Sequence, residues 1–183
     1  MPSLLPSLLI DRRDLDFQLY DVLRVQDLTA RDRFAEHSRE TFDASIDTAL
    51  RLAERYFAPH NRKSDLEEPR FDGSRVHVIP EVREALDAFS KAGMMAAGQD
   101  FELGGMQLPH TVALAGFGLF KAANMATASY PMLTMAAANL ILAHGSEEQK
   151  ARYVPNMLAG RWFGTMALTE PHAGSSLADI RTT

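Results

Sequence analysis

The chain has no cysteine in its 183 residues. That removes a disulfide framework, thiolate metal ligation and a cysteine nucleophile, and it suits a cytoplasmic protein. Aromatic residues are few, at 8% with a single tryptophan. The 19 basic residues are scattered and the net charge is −5, so there is no basic, aromatic-laced stripe to hold nucleic acid. No window approaches the ~18 consecutive apolar residues of a membrane span. The opening MPSLLPSLLIDRRDLD is apolar only briefly, lacks a basic start and runs into charge, which makes it a poor signal peptide. Together these absences predict a soluble, cytoplasmic chain.

Several catalytic patterns are also missing. His60, His77, His110, His144 and His172 are dispersed, with no i, i+4 pair and no HExxH, so no metal site is expected. No GxSxG occurs, which excludes the hydrolase nucleophile elbow. GFG at Gly116–Gly118 lies inside an apolar helical run and lacks the third glycine of a dinucleotide fingerprint. Glu67 and Glu68 are adjacent and point differently, so they read as a solvated face. Met94, Met95, Met125, Met132 and Met135 read as core filler.

What is present is mostly helix. The apolar fraction of 46% is enough for a core, and the length fits one domain or one domain and the start of another. Phe17, Leu19, Val22, Leu23 and Val25 predict a short early helix. Phe42, Ile46, Ala49, Leu50, Ala53 and Phe57 form one helical stripe. From Pro59 through HNRKSDLEEPRFDGSR the chain reads as a polar helix end and a long connection. PEVREALDAFSKAG is a compact helix with Pro80 in its first turn and Gly93 as its stop. Gly98–Pro109 reads as a glycine-rich loop. His110 to about Met125, and Tyr130 to His144, read as two helices buried on most sides. GSEEQK starts another, with Ser146 and Gln149 as a capping box, reaching Leu158 and ended by Gly160. Trp162–Leu168, WFGTMAL, then reads as a first strand.

The closing stretch ALTEPHAGSSLADIRTT follows that strand. Thr169 offers a hydroxyl and an amide, Pro171 fixes a bend, and Gly174 lets backbone approach a ligand without a Cβ in the way. Ser175 and Ser176 add hydroxyls of the kind that hold phosphate oxygens. Spacing alone leaves open both a ligand-binding loop and an ordinary polar connection.

Order narrows the choice. Gly-Ser-Glu-Glu-Gln-Lys, Tyr-x-Pro, Leu-x-x-Gly, an apolar strand and Leu-Thr-Glu-Pro-x-Ala-Gly-Ser follow without a gap. With DFELGGMQLP earlier, they resemble the acyl-CoA dehydrogenase family of FAD enzymes over about residues 80–183. The resemblance implies a mainly α fold: a helical N-terminal domain at 1–160, with 1–35 an extension, and the truncated start of a β-barrel-like middle domain at 161–183. It implies FAD contacts from Met166, Ala167, Leu168 and Thr169, and pyrophosphate contacts from Gly174 and Ser175, with Ser175 also near the CoA moiety of the substrate.

The implied reaction is α,β-dehydrogenation of an acyl-CoA to a trans-2-enoyl-CoA, as in fatty-acid β-oxidation. A glutamate removes the α-proton. That base and a second flavin-contacting segment are expected beyond residue 183, so none of these residues is assigned as catalytic and the fragment alone is expected to be inactive. Electron-transfer flavoprotein is the implied electron acceptor and a homo-oligomer the implied assembly. Two departures stand out: His172 where many members have glycine, and Ser176 in place of an aspartate that supports the loop. The same fold also carries flavin oxidases and monooxygenases, and a non-catalytic helical interaction module is the reading from a different class.

Overall fold

In the computed structural model, residues 7–182 are described; residues 1–6 of the opening segment and Thr183 lie outside them. The chain is a stack of helices. The segment α1, Arg12–Asp16, is capped by Asp11 and continues through a wide π turn at Phe17–Val22. α2 spans Arg39–Leu52 and also runs on as a π turn, Ala53–Phe57. α3 is Asn61–Leu66. A two-residue-long hairpin follows, β1 Arg70–Phe71 against β2 Val76–His77, antiparallel with Phe71 opposite Val76. α4 is Pro80–Lys91, α5 His110–Ala123, α6 Met125–His144 and α7 Glu147–Leu158.

The stripe on α2 is buried as its spacing requires: Phe42, Ile46, Ala49, Ala53 and Phe57 are each at most 1% exposed. They meet α4 and α5 in the main core. There Phe120 packs edge-on to Phe57 and Phe89, with centroids 4.9 and 4.8 Å apart, a geometry worth about 0.5–1.5 kcal/mol per pair beyond area burial. Ser38 caps α2 in a reciprocal box with Thr41, and Ser146 does the same for α7 with Gln149. Gly93 and Gly160 stop α4 and α7 in the left-handed region, where a Cβ is strained.

Four expectations are corrected. Trp162–Leu168 is not a strand: Trp162 lies in a bend, Phe163–Leu168 have no regular secondary structure, and among the described residues no strand lies beside them. The helices at 110–144 are not buried on most sides: Leu114, Met125 and Leu140 are more than half exposed. The second of them also begins earlier, at Met125, because the buried Asn124 breaks the run and caps α6 by accepting the Thr127 amide. The long polar connection after Pro59 contains α3 and the hairpin. By length and composition alone α6 passes as a membrane-spanning helix, which the sequence reading did not anticipate. It packs on α5 and α7.

The glycine-rich loop is as expected, and ordered. Gly104 and Gln107 take positive φ, and the loop folds back to hydrogen-bond the preceding segment through Met106, Gln107 and Leu108. Gln99 Nε2 donates to Asn139 Oδ1 at 2.6 Å and ties this loop to α6.

Candidate functional site

Beyond Gly160 the chain crosses the outer face of α6. Trp162 packs on Tyr153 of α7 at 5.9 Å, and Phe163 meets Tyr130 of α6 edge-on at 6.1 Å. Gly164 comes closest. Its amide donates to Thr134 Oγ1 at 3.1 Å, and a Cβ on it would stand 2.7 Å from Ala137 Cβ. A side chain there would have to displace the helix surface.

From Thr165 to Thr169 the chain has no regular secondary structure and is exposed. Among the described residues, none of these five amides donates a hydrogen bond. An unpaired run of donors carried on a packed scaffold is a platform for a ligand with acceptor atoms. Met166, Ala167, Leu168 and Thr169, the residues assigned from the sequence, occupy it side by side.

The run ends in a tight reversal. Glu170 and Ala173 exchange both backbone hydrogen bonds, at 2.7 and 3.3 Å, across Pro171 and His172. Pro171 supplies the φ that the first central position of such a turn needs. His172 keeps a negative φ, since the only non-glycine residues with positive φ among those described are Arg24 and Gln107. A glycine is therefore not required there, and the histidine departs from the family pattern without strain. Its Nε2 lies 3.2 Å from the Asp179 carbonyl.

The reversal brings Gly174 against Thr169: a Cβ on Gly174 would lie 3.3 Å from Thr169 Cγ2 and 3.4 Å from its Oγ1. So the structure joins two of the assigned residues across the turn, with Ser175 exposed beside them. Free amides, an exposed threonine hydroxyl and a bare Cα next to a serine fit the acceptor-rich edge and phosphates of FAD. That fit is chemical, in donors and bare backbone.

Sequence reasoning missed Glu170. Its carboxylate accepts from the amides of Arg181 and Thr182, the latter at 2.8 Å, and from the Thr182 hydroxyl. The Thr182 hydroxyl and then these amides hold its pKa below the usual carboxylate value. No periodicity marks such a residue, because its partners lie eleven and twelve positions away.

A cavity of about 230 Å³ opens between α5, α6 and the segment around Met95, lined by Met95, Leu108, Phe117, Phe120, Met132 and Met135. At about 100° per residue, Met132 and Met135 lie on the face of α6 roughly opposite Thr134 and Ala137. The cavity therefore belongs to the helical core and not to the closing loop. Among the described residues no cluster of His, Cys, Asp or Glu is placed to hold a metal.

The model for the family described as acyl-CoA dehydrogenase, N-terminal domain, matches residues 39–161. The chain is 33% identical over 172 residues to 3-methylmercaptopropionyl-CoA dehydrogenase of Ruegeria pomeroyi, covering 93% of this chain and 29% of the relative. It is 35% identical over 173 residues to a broad-specificity linear acyl-CoA dehydrogenase of Mycobacterium tuberculosis, covering 93% and 28%. The crystal structure of glutaryl-CoA dehydrogenase from Mycobacterium smegmatis superposes with a TM-score of 0.64 at 26% identity, over 81% of this chain and 35% of that one. The chain thus spans less than a third of the length of these curated relatives.

Proposed function

Because the chain belongs to the acyl-CoA dehydrogenase family, we propose that it is the N-terminal helical part of an FAD-dependent enzyme that converts an acyl-CoA thioester to its trans-2-enoyl-CoA. On this reading residues 1–160 form the helical domain, with 1–35 an extension, and 161–183 open a middle β domain. The observation that carries the reading is the donor platform at Thr165–Thr169, turned by Glu170–Ala173 so that Gly174 lies under Thr169.

When bound, FAD supplies the hydride acceptor. The amides at Met166–Thr169 and the Thr169 hydroxyl would hold its acceptor-rich edge, where fixed donors would favour negative charge on the ring. Gly174 would admit the pyrophosphate without a Cβ in the way, and the Ser175 hydroxyl would donate to a phosphate oxygen and lie near CoA. Glu170 is not the α-proton base. Its lone pairs are engaged by Arg181 and Thr182, and its lowered pKa makes it a weak acceptor of protons. The base comes from another part of the enzyme. The further proposals are an electron-transfer flavoprotein as acceptor, a homo-oligomer, a role in fatty-acid oxidation and a cytoplasmic location.

Anaerobic titration of the intact gene product with a panel of acyl-CoAs, following the visible flavin band, tests this. Bleaching by one class of acyl-CoA is the expected result and names the substrate. A bleached flavin that reoxidises at once when air is admitted moves the chemistry to an oxidase, a flavin band that no acyl-CoA bleaches moves it to a monooxygenase-like relative, and no flavin band at all overturns the cofactor assignment.

A further inference from the structure

The geometry points to Glu170 as the positioning residue of the phosphate-binding turn: its carboxylate ties Arg181 and Thr182 back onto the turn, and so fixes where Gly174 and Ser175 face. This rests on reading that turn as part of the FAD site.

The stretch 174–180 is held at both ends by one residue. At its start, the Glu170 backbone exchanges hydrogen bonds with Ala173. At its end, the Glu170 side chain accepts from Arg181 N at 3.2 and 3.1 Å, from Thr182 N at 2.8 Å and from the Thr182 hydroxyl. His172 Nε2 lies 3.4 Å from the same carboxylate and also reaches the Asp179 carbonyl. Between these ties, Leu177–Asp179 forms a single 3-10 turn. No other side chain among those described bonds Arg181 or Thr182. Removing the carboxylate orphans two amides and a hydroxyl together and frees the loop end.

Pre-organisation is what such a clamp contributes. A cradle already closed before the ligand arrives has less ordering entropy to lose on binding. Ser176, beside this cradle, is exposed.

The test compares Glu170→Ala, Glu170→Gln and Thr182→Val in the intact gene product. FAD affinity of the stripped protein, amide exchange at Arg181 and Thr182, and turnover at saturating FAD are measured. Glu170→Ala is expected to weaken FAD by about tenfold, the scale of one hydrogen bond to a charged acceptor. Exchange at both amides should accelerate, and KM for acyl-CoA should rise with the loss of FAD affinity, because the same turn carries Ser175. Glu170→Gln keeps one oxygen for Thr182 and should restore most of the affinity. Thr182→Val, which keeps its amide, should lose less than Glu170→Ala.

Fast exchange in Glu170→Ala with wild-type FAD affinity overturns the proposal while leaving the cofactor reading intact. Unchanged exchange at Arg181 and Thr182 overturns the clamp itself. A wild-type protein that holds no FAD removes the cofactor reading and the proposal with it. Should Glu170→Ala fail to fold, Glu170→Gln and Thr182→Val decide by the order of their affinities: no loss in Thr182→Val, or an affinity in Glu170→Gln below it, overturns the assignment.

Discussion

Gly160 rests directly on Ser90: at φ +67°, a Cβ on Gly160 would stand 2.7 Å from Ser90 Cβ and closer still to its hydroxyl. The end of α7 is thereby docked on α4 by a bare Cα, and the Ser90 hydroxyl is buried without a partner. Gly160→Ala combines left-handed backbone strain with overpacking, and is expected to cost about 2–4 kcal/mol. Gly118 is the control. It is helical, exposed and has nothing within 4 Å of a would-be Cβ, so Gly118→Ala should stabilise by about 0.5–1 kcal/mol. Urea midpoints of the two variants should move in opposite directions.

That contrast shows what a sequence discloses. Gly93 and Gly160 were readable as helix stops because a glycine after a periodic stripe is a local signal. The stripe from Phe42 to Phe57 and the Ser146–Gln149 box were readable for the same reason. The irregular run at Trp162–Leu168 was not, because a short apolar segment reads the same whether or not a partner strand exists. Nor did composition reveal that α6 turns Leu140 and Met125 outward, since a nearly all-apolar helix has no face to read. At the site, Thr169 and Gly174 were identified by their motif, but their contact across Pro171 and the clamp from Glu170 depend on how the turn folds.

The buried pair His60 and Thr127 holds the start of α6 to the end of the α2 rod. His60 Nε2 lies 2.8 Å from Thr127 Oγ1, and neither residue is more than 3% exposed. Thr127→Val keeps the shape and removes the oxygen, leaving an imidazole nitrogen unpaired. A loss of about 1–3 kcal/mol is expected, and Thr127→Ser should recover most of it. Equilibrium unfolding of both variants checks the difference.

Arg12 is the tie between α1 and α2. Its guanidinium meets Asp16 at 2.7 Å, Asp43 at 2.8 Å and Asp47, and Asp43 also accepts from the Tyr20 hydroxyl at 2.7 Å. Burial, then the bond to Asp43, pushes the Tyr20 phenol well above its usual pKa. Arg12→Met leaves three carboxylates near one another, with Arg39 3.7 Å from Asp43. The expected cost is about 1–2 kcal/mol, between an exposed pair and a buried one. Proteolysis within residues 7–30 should accelerate, since this network and the packing of Leu19, Tyr20 and Val25 hold that segment down.

The Glu170 clamp also sets a pH response. Its pKa is lowered in the folded chain by the Thr182 hydroxyl and the amides of Arg181 and Thr182. A depressed carboxylate contributes fully above its unfolded value of about 4.3 and is lost as pH falls through the folded value. Amide protection at Arg181 and Thr182, corrected for intrinsic exchange, should hold steady from neutral pH down to that range and collapse below it. In Thr182→Val the collapse should begin at a higher pH, because the largest cause of the shift is gone.

Gly164 couples the helical core to the donor platform. Its amide is held by Thr134, and a Cβ would overlap Ala137 Cβ at 2.7 Å and crowd Leu133 O and Met157 Cε at 3.2 Å. Gly164→Ala must lift the backbone off α6 just before the amides of Thr165–Thr169, at a cost of about 1–3 kcal/mol. Ala137→Gly alone costs about 0.5–1 kcal/mol as a helix-interior glycine, yet it removes the atom that Gly164→Ala strikes. The double variant should therefore be more stable than the sum of the two single losses predicts, the signature of a direct contact. FAD affinity in the intact gene product should fall in Gly164→Ala and recover in the double variant. Recovery of stability without recovery of affinity would show that the segment returns to α6 but that its register does not matter to the cofactor.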